Sequence, residues 1–203
     1  MQTTLYLIRH GQTKWNQEQR MQGWQNSDLT DVGKNQAILL GEKLEKEAIV
    51  FDAFYSSPSE RALETRGLIN QSLRFPEYEA SGLQEINMGN WEGKTYDEIE
   101  RIDKEEWQRF WDAPLSFQAT NQGETFEALS LRSRESIQKM VELHQGQVIG
   151  MVSHRITIKT MVADLLGLAI EELDDVAPNS MTKIVLTDEQ AILEVYSDTS
   201  HYE

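Results

Sequence analysis

The chain has 203 residues, no cysteine, only four prolines and a formal net charge of −15 at pH 7. Without cysteine there is no disulfide framework, thiolate metal site or thiol nucleophile, and the acidic balance speaks against a nucleic-acid face or attraction to an anionic membrane. No apolar run approaches the ~18 residues of a spanning helix, strand formers begin by Thr3 and no Pro/Gly/Ser-rich linker intervenes, so one cytoplasmic domain over residues 1–203 is expected.

The first element is the apolar run Leu5-Tyr6-Leu7-Ile8, which leads into Arg9-His10-Gly11. Its length and its stop at glycine predict a buried strand with Arg9 and His10 at the carboxyl edge, where open α/β sheets bind ligands. The polar stretch 11–30, with Trp15, Asn16, Gly23 and Trp24, reads as a long functional loop. Thr30 then caps a helix over 31–47, with Ala37, Leu40, Leu44 and Ala48 at helical spacing. A second strand at 51–55 ends in Ser56-Ser57-Pro58-Ser59, and Ser59 is placed to cap a helix with Arg61 in its first turns.

Residues 76–90 read as irregular, with a short strand near 78–80 followed by Leu83-Gln84-Glu85. From about 88 to 122 the chain gathers Trp91, Trp107, Phe110, Trp111 and Phe117, with helical patterns over 97–102 and 104–112. That segment reads as an insertion over one end of the sheet. A long helix over 125–144 and a third strand at 147–152 follow, the strand running into Ser153-His154. A helix over 156–166 closes at Gly167, and strands at 181–186 and 192–196 complete a three-layer α/β/α sandwich with a mostly parallel sheet.

Three strand-to-helix junctions therefore carry Arg9 with His10, Arg61, and His154. If the three strands are parallel neighbours with right-handed crossovers, all three junctions open on one sheet edge. Two guanidiniums, two imidazoles and the N-termini of two helices would meet there, which is a phosphate site by charge. It would have to attract an anion against the field of a strongly acidic molecule.

The ordered series Leu7-Ile8-Arg9-His10-Gly11-Gln12-Thr13, Trp15-Asn16, Gln22-Gly23-Trp24, Ser56-Ser57-Pro58 with Arg61-Ala62, Leu83-Gln84-Glu85, Trp91-Glu92-Gly93, Gly123-Glu124-Thr125 and Val152-Ser153-His154 resembles the histidine phosphatase superfamily, in its phosphoglycerate mutase-like branch. The resemblance implies a metal-independent phosphomonoesterase in which His10 is transiently phosphorylated, Arg9, Arg61 and His154 hold the phosphoryl group, and Glu85 is the proton donor. It also places Asn16 and Gly23 near the phosphate. The expected partner is a small phosphorylated metabolite, with no cofactor, metal, nucleic acid or membrane, and nothing in the sequence specifies an oligomeric state.

The blander readings stand beside these. The lesser alternative for His154 is a helix cap, and Glu85 competes with Glu92 and Glu124 for the acid's role. A metal site of His10, His154 and Glu85 fits by ligand type, but two arginines aimed at one spot would repel a cation. His144 and His201 read as surface residues. The family usually has glycine after its second histidine, where this chain has Arg155, a residue expected to add a cation to the substrate pocket or to narrow it.

Between reaction types, a mutase needs extra cations for a second phosphate and a carboxylate. After Glu85 the chain reads Ile86-Asn87-Met88-Gly89, without the arginine and tyrosine expected of a mutase, and the insertion's cations are scattered at Lys94, Arg101, Lys104 and Arg109. The expected enzyme is thus a phosphatase, with a bisphosphoglycerate-dependent phosphoglycerate mutase, a phosphohistidine-protein phosphatase and a non-catalytic phosphate- or phosphopeptide-binding module as the alternatives. The aromatic insertion is expected to form a lid or wall for the substrate's organic part, with some of Trp91, Trp107 and Trp111 both walling it and packing the insertion on the sheet.

Overall fold

The computed structural model describes residues 2–202. In chain order the elements are β1 (Thr3–Arg9), α1 (Lys14–Gln17), α2 (Asp31–Lys46), β2 (Ala53–Ser56), α3 (Glu60–Asn70), β3 (Glu77–Glu79), α4 (Tyr96–Ile102), α5 (Lys104–Asp112), α6 (Phe126–Leu143), β4 (Val148–Ser153), α7 (Arg155–Leu166), β5 (Met181–Leu186) and β6 (Ala191–Asp198). The strand order is β3-β2-β4-β1-β5-β6, and β3, β2, β4 and β1 run parallel while β5 is antiparallel to both its neighbours. The sheet is mostly parallel, as expected, and the three strands bearing Arg9, Ser56 and Ser153 are adjacent with their carboxyl ends on one edge.

Period-two alternation sends each strand's side chains to both faces. Leu5, Leu7, Ala53, Tyr55, Ile149 and Met151 pack with Ile137 and Met140 of α6 and with Ile158, Met161 and Val162 of α7. Tyr6, Ile8, Phe54 and Val152 pack with Ala37, Leu40 and Leu44 of α2 and with Ala62 and Ile69 of α3. Helices thus cover both faces, making the α/β/α layers. A third apolar cluster joins the insertion's Trp91, Ile99, Trp107, Phe110 and Phe117 to Phe126 and Leu129 of α6 and to Ile156 of α7.

The helix caps follow side-chain chemistry. Thr30 Oγ1 accepts from the Gly33 N–H at 3.0 Å and opens α2, and Gly167 closes α7 at φ +68°. Three expectations need correction. The loop 11–30 contains α1, a single turn held by a reciprocal capping box between Thr13 and Asn16, too short to show apolar periodicity. Ser59 precedes α3 without a side-chain capping bond, and its hydroxyl lies instead 3.4 Å from both Ser57 Oγ and His154 Nε2. His144 is half-buried at the end of α6, with Tyr55 Oη 2.9 Å from its Nε2, and His201 is likewise only partly exposed. Among the described residues no helix is long and apolar enough to cross a membrane.

Candidate active site

At the carboxyl edge of the sheet, β1 delivers Arg9 and His10, the turn after β2 delivers Arg61 on the first turn of α3, and β4 delivers His154 immediately before α7. All four are buried. The backbone locks these junctions together: His10 N–H donates to Ser153 O at 2.9 Å, Gly11 N–H to Thr65 Oγ1 at 3.0 Å, and the Thr65 hydroxyl to Arg61 O at 2.7 Å. Fixing these positions removes the rotational freedom that would blur the alignment of a nucleophile.

Arg61 is the hub. Its Nε donates to His10 Nε2 at 3.3 Å and its Nη2 to His154 Nδ1 at 3.2 Å. Its other bonds run to the loop 11–30: Nη2 to Gly23 O at 2.7 Å and Nη1 to Gln25 O at 2.8 Å. Because guanidinium nitrogens only donate, both facing imidazole nitrogens are acceptors, which settles the tautomers. His10 Nδ1 carries the proton and donates to Gly11 O at 2.7 Å, leaving the Nε2 lone pair toward Arg61. His154 carries its proton on Nε2, 2.8 Å from Ser57 Oγ. The two rings lie 5.1 Å apart between centroids.

Electrostatics agree with this assignment. Burial first, then Arg61 and Arg9, hold His10 well below the ordinary imidazole value. His154 is held well below it too, by burial and then by Arg61 and His10. Burial also draws Arg9 and Arg61 down to about 10, so both remain cations at neutral pH. Arg9 Nη1 donates to Val176 O at 2.5 Å, whereas its Nε is buried with no hydrogen-bond partner. A buried unpaired donor on a cation costs free energy that an anion bound beside it recovers.

Glu85 is the acid that the structure brings to this cavity. Its carboxylate accepts from the N–H groups of Ile86 at 2.9 Å, Thr157 at 3.1 Å and Ile156 at 3.2 Å, the last two at the N-terminus of α7. Its carbonyl accepts from Trp24 Nε1 and Arg132 Nη2, both at 2.9 Å. The two competitors have other partners. Glu92 accepts from the N–H groups of Trp24, Gln25 and Met88 and so pins the Gly23 turn, while Glu124 pairs with Arg132 at 2.7 Å. Gly23 itself sits at φ +54°, and a Cβ there would lie 2.3 Å from Glu92 Oε1.

Arg9, His10, Asn16, Gly23, Arg61, Glu85 and Arg155 line one cavity of about 430 Å³. His154 does not line it: fully buried behind Arg61, it faces a neighbouring cavity that shares Gly23, Arg61 and Glu85. Of the insertion's aromatics, Tyr96 and Trp111 line the site, whereas Trp91 and Trp107 are packing residues in the third apolar cluster. Lys94, Arg101, Lys104 and Arg109 are not part of it, and the further cation in the wall is Arg20, with Met21, Gln22, Met88 and Ile156. Gln22 lies in the Gln22-Gly23-Trp24 motif, and the spacing Thr95-x-x-Glu98 is a capping-box signal for the helix start at Tyr96. Arg20 carries no such signal. Among the described residues no three His, Asp or Glu side chains are arranged to hold a metal ion.

Residues 5–199 match the family described as the histidine phosphatase superfamily (branch 1). The metal-independent phosphoserine phosphatase of Arabidopsis thaliana is 30% identical over 209 residues, which span 98% of this chain and 83% of the relative. A 2,3-bisphosphoglycerate-dependent phosphoglycerate mutase of Bartonella bacilliformis is 29% identical, over 85% of this chain and 86% of its own. Among solved structures, Bacillus stearothermophilus YhfR superposes with a TM-score of 0.93 at 39% identity, covering 99% of this chain and all of its own. With nearly every residue from β1 to the end of β6 inside that match, the chain belongs to the histidine phosphatase superfamily.

Proposed function

We propose that this histidine phosphatase is a metal-independent phosphomonoesterase that hydrolyses small phosphorylated metabolites through a phosphohistidine on His10. The observation that carries the reading is the single guanidinium of Arg61 donating to His10 Nε2 and His154 Nδ1 at once, beside the unpartnered Nε of Arg9. A neutral imidazole with its lone pair aimed into a cationic pocket is a nucleophile toward phosphorus. As the phosphoryl group nears Nε2, the Arg61 donor passes from nitrogen to a phosphoryl oxygen, and Arg9 Nε supplies a second donor. Charge spread over the equatorial oxygens is thereby stabilised by groups already in place. Asn16, whose Oδ1 is engaged by the Thr13 N–H at 3.0 Å, retains its amide nitrogen as a further donor, and the Gly23 turn closes the pocket's rim.

In the first half-reaction the Nε2–P bond forms, the P–O bond to the organic group breaks, and Glu85 gives its proton to the leaving alkoxide. In the second, Glu85 takes a proton from water, the oxygen attacks phosphorus, and the P–N bond breaks to release phosphate and restore His10. The positive charge in this scheme is organic, and the name of the phosphoserine phosphatase relative supports metal independence.

The mutase relative makes isomerisation the second reading. Against it, the two cations beyond the phosphate centre are already engaged. Arg20 donates to Glu18 at 2.9 Å and to Gly93 O at 2.5 Å, and Arg155 donates to Asp175 at 2.6 Å. Arg20 is thereby taken up, and Arg155 keeps only its two terminal nitrogens, one partly neutralised guanidinium where a second phosphate dianion and a carboxylate need several cations.

Phosphate release from a panel of phosphorylated metabolites, in chelator, compares the wild type with His10→Ala. The expected result is metal-independent release abolished by the substitution, with an acid-labile phosphoenzyme trapped in the wild type. Isomerisation of phosphoglycerate under a strict bisphosphoglycerate requirement, without release, would reverse the assignment.

A further inference from the structure

Three cavities follow one another outward from the phosphate centre along α7. The catalytic cavity and a second one of about 410 Å³ share Trp111, Arg155 and Ile156. The second shares Pro114, Phe126 and Ile170 with a third, largely apolar cavity of about 930 Å³, onto which Leu115, Phe117, Ala163 and Leu168 open. What stands between the first and the second is one stacked pair. The Arg155 guanidinium carbon lies 4.8 Å from the centroid of the Trp111 ring, and Arg155 Nε is tied to Asp175 Oδ1 at 2.6 Å. Asp175 Oδ1 also accepts from the Val176 N–H at 2.8 Å, and Trp111 is braced edge-on by Trp107 and Phe110.

We propose that the Arg155–Trp111 pair is a partition that selects leaving groups by size. It admits compact phosphomonoesters whose organic part ends in a hydrogen-bond acceptor, a hydroxyl or carboxylate, against the Arg155 guanidinium, and it excludes elongated apolar ones. The proposal rests on the phosphatase reading above and names the substrate class for the same pocket. With Nε given to Asp175, Arg155 has its two terminal nitrogens left as donors on the cavity side of the stack. A cation held over an indole face and by a carboxylate is fixed in place from two directions.

Beyond the partition the trough is long. Ala163 is eight residues past Arg155, roughly 12 Å along the helix axis. Lys159, Glu171 and Asp175 edge the second cavity, so an alkyl chain gains most in the third, largely apolar one, by roughly three- to fourfold for each fully buried methylene. Where the family usually carries glycine, the pocket would run straight into this space, and here Arg155 fills it.

The test separates binding from turnover. Affinities for decyl phosphate and for 2-phosphoglycolate are read by tryptophan fluorescence or calorimetry on a His10→Ala background, and hydrolysis of both is read with His10 intact. The expected wild-type preference is for phosphoglycolate. Arg155→Gly should invert it, raising the decyl-to-glycolate affinity ratio by roughly a hundredfold through a gain on one ligand and a loss on the other. Trp111→Ala opens the same partition while keeping the guanidinium, so it should strengthen decyl phosphate roughly tenfold and weaken phosphoglycolate far less than Arg155→Gly does, and it carries the test if Arg155→Gly does not fold. Equal wild-type affinity for the two ligands, or an unchanged ratio in both variants, would overturn the partition. Binding that follows the expected pattern without phosphate release from either ester or from any metabolite of the panel would keep the partition and sink the phosphatase reading.

Discussion

The phosphate centre and the insertion wall face the same cavity but are held together by different physics. Around His10 nearly every constraint is a directional hydrogen bond, five of them from the one buried guanidinium of Arg61. In the wall the constraints are ring packings: Trp91 against Trp107 at 5.7 Å, Trp107 against Trp111 at 5.4 Å, and Phe110 against Trp111 at 4.9 Å. Hydrogen bonds specify orientation, which transfer to phosphorus requires. Aromatic packing specifies a surface, which discrimination among leaving groups requires. The two halves of the site should therefore respond to substitution in different observables.

The largest expected effect is at Arg61. Arg61→Ala removes the donor shared by both histidines, and turnover should fall by roughly 10³-fold or more. Arg61→Lys restores the charge without the fork, so it should recover little of that loss. A lysine variant close to the wild type in kcat would show that charge alone suffices and that the fork's orientation is dispensable. The counterpart behind the wall is Trp91, nearly fully buried and in contact with Trp107, Phe110 and Phe117. Trp91→Ala should cost about 3–5 kcal/mol of stability by urea titration. At a temperature where the variant stays folded, single-turnover phosphorylation of His10 should remain within a few-fold of the wild type, the change appearing in KM.

These two regions also differ in how far the sequence reveals them. Arg9, His10, Arg61 and His154 sit where strands end and helices begin, and strand ends are visible as apolar runs broken by polar residues. Adjacency of the three strands then brings them together. Glu85 could be placed only through the resemblance, because its partner groups, the N–H of Ile156 and of Thr157, lie seventy residues away across the fold. Arg20, Met21 and Tyr96 enter the cavity by a path no periodicity encodes: an isolated bridge between Arg20 and Thr95 ties the loop to the insertion. In the insertion, aromatic content announces a cluster, but helical spacing does not say which ring lines the cavity, because residues four apart share a helix face. Trp107 and Trp111 are four residues apart on α5, and only Trp111 reaches the cavity.

A titration sharpens the comparison on a smaller scale. Both buried histidines belong to the phosphate centre, and the insertion contains none. Above pH 7 they are neutral whether the chain is folded or not. Below the ordinary value of 6.5 the unfolded chain takes up protons at both positions, while the folded one does not until its own, much lower, values are reached. Stability therefore falls with falling pH, by up to about 1.4 kcal/mol per pH unit for each imidazole. The lowered carboxylates, Asp28, Glu98, Asp175 and Asp198, lose their contributions only at more acid pH, below the ordinary values of 3.8 for aspartate and 4.5 for glutamate, so they stay out of this window. Thermal unfolding between pH 6.5 and 5 should show the slope, His154→Gln should reduce it to about half, and Trp91→Ala should leave it unchanged.

The smallest effect tests whether the wall can be loosened without touching the chemistry. Two short helices flank the cavity, and each opens on a threonine capping box, Thr13 with Asn16 before α1 and Thr95 with Glu98 before α4. Removing a capping hydroxyl costs about 1 kcal/mol in either place. The consequences should diverge, because the first box orients Asn16 beside His10 and Arg61 in the cavity whereas the second places Tyr96 in the insertion's side of its wall. Thr95→Ala should raise KM a few-fold and leave the rate of phosphohistidine formation unaltered, while Thr13→Ala should lower that rate. Equal losses of rate in the two variants would mean that wall and centre move as one body, and that shape and orientation in this pocket are not separable properties.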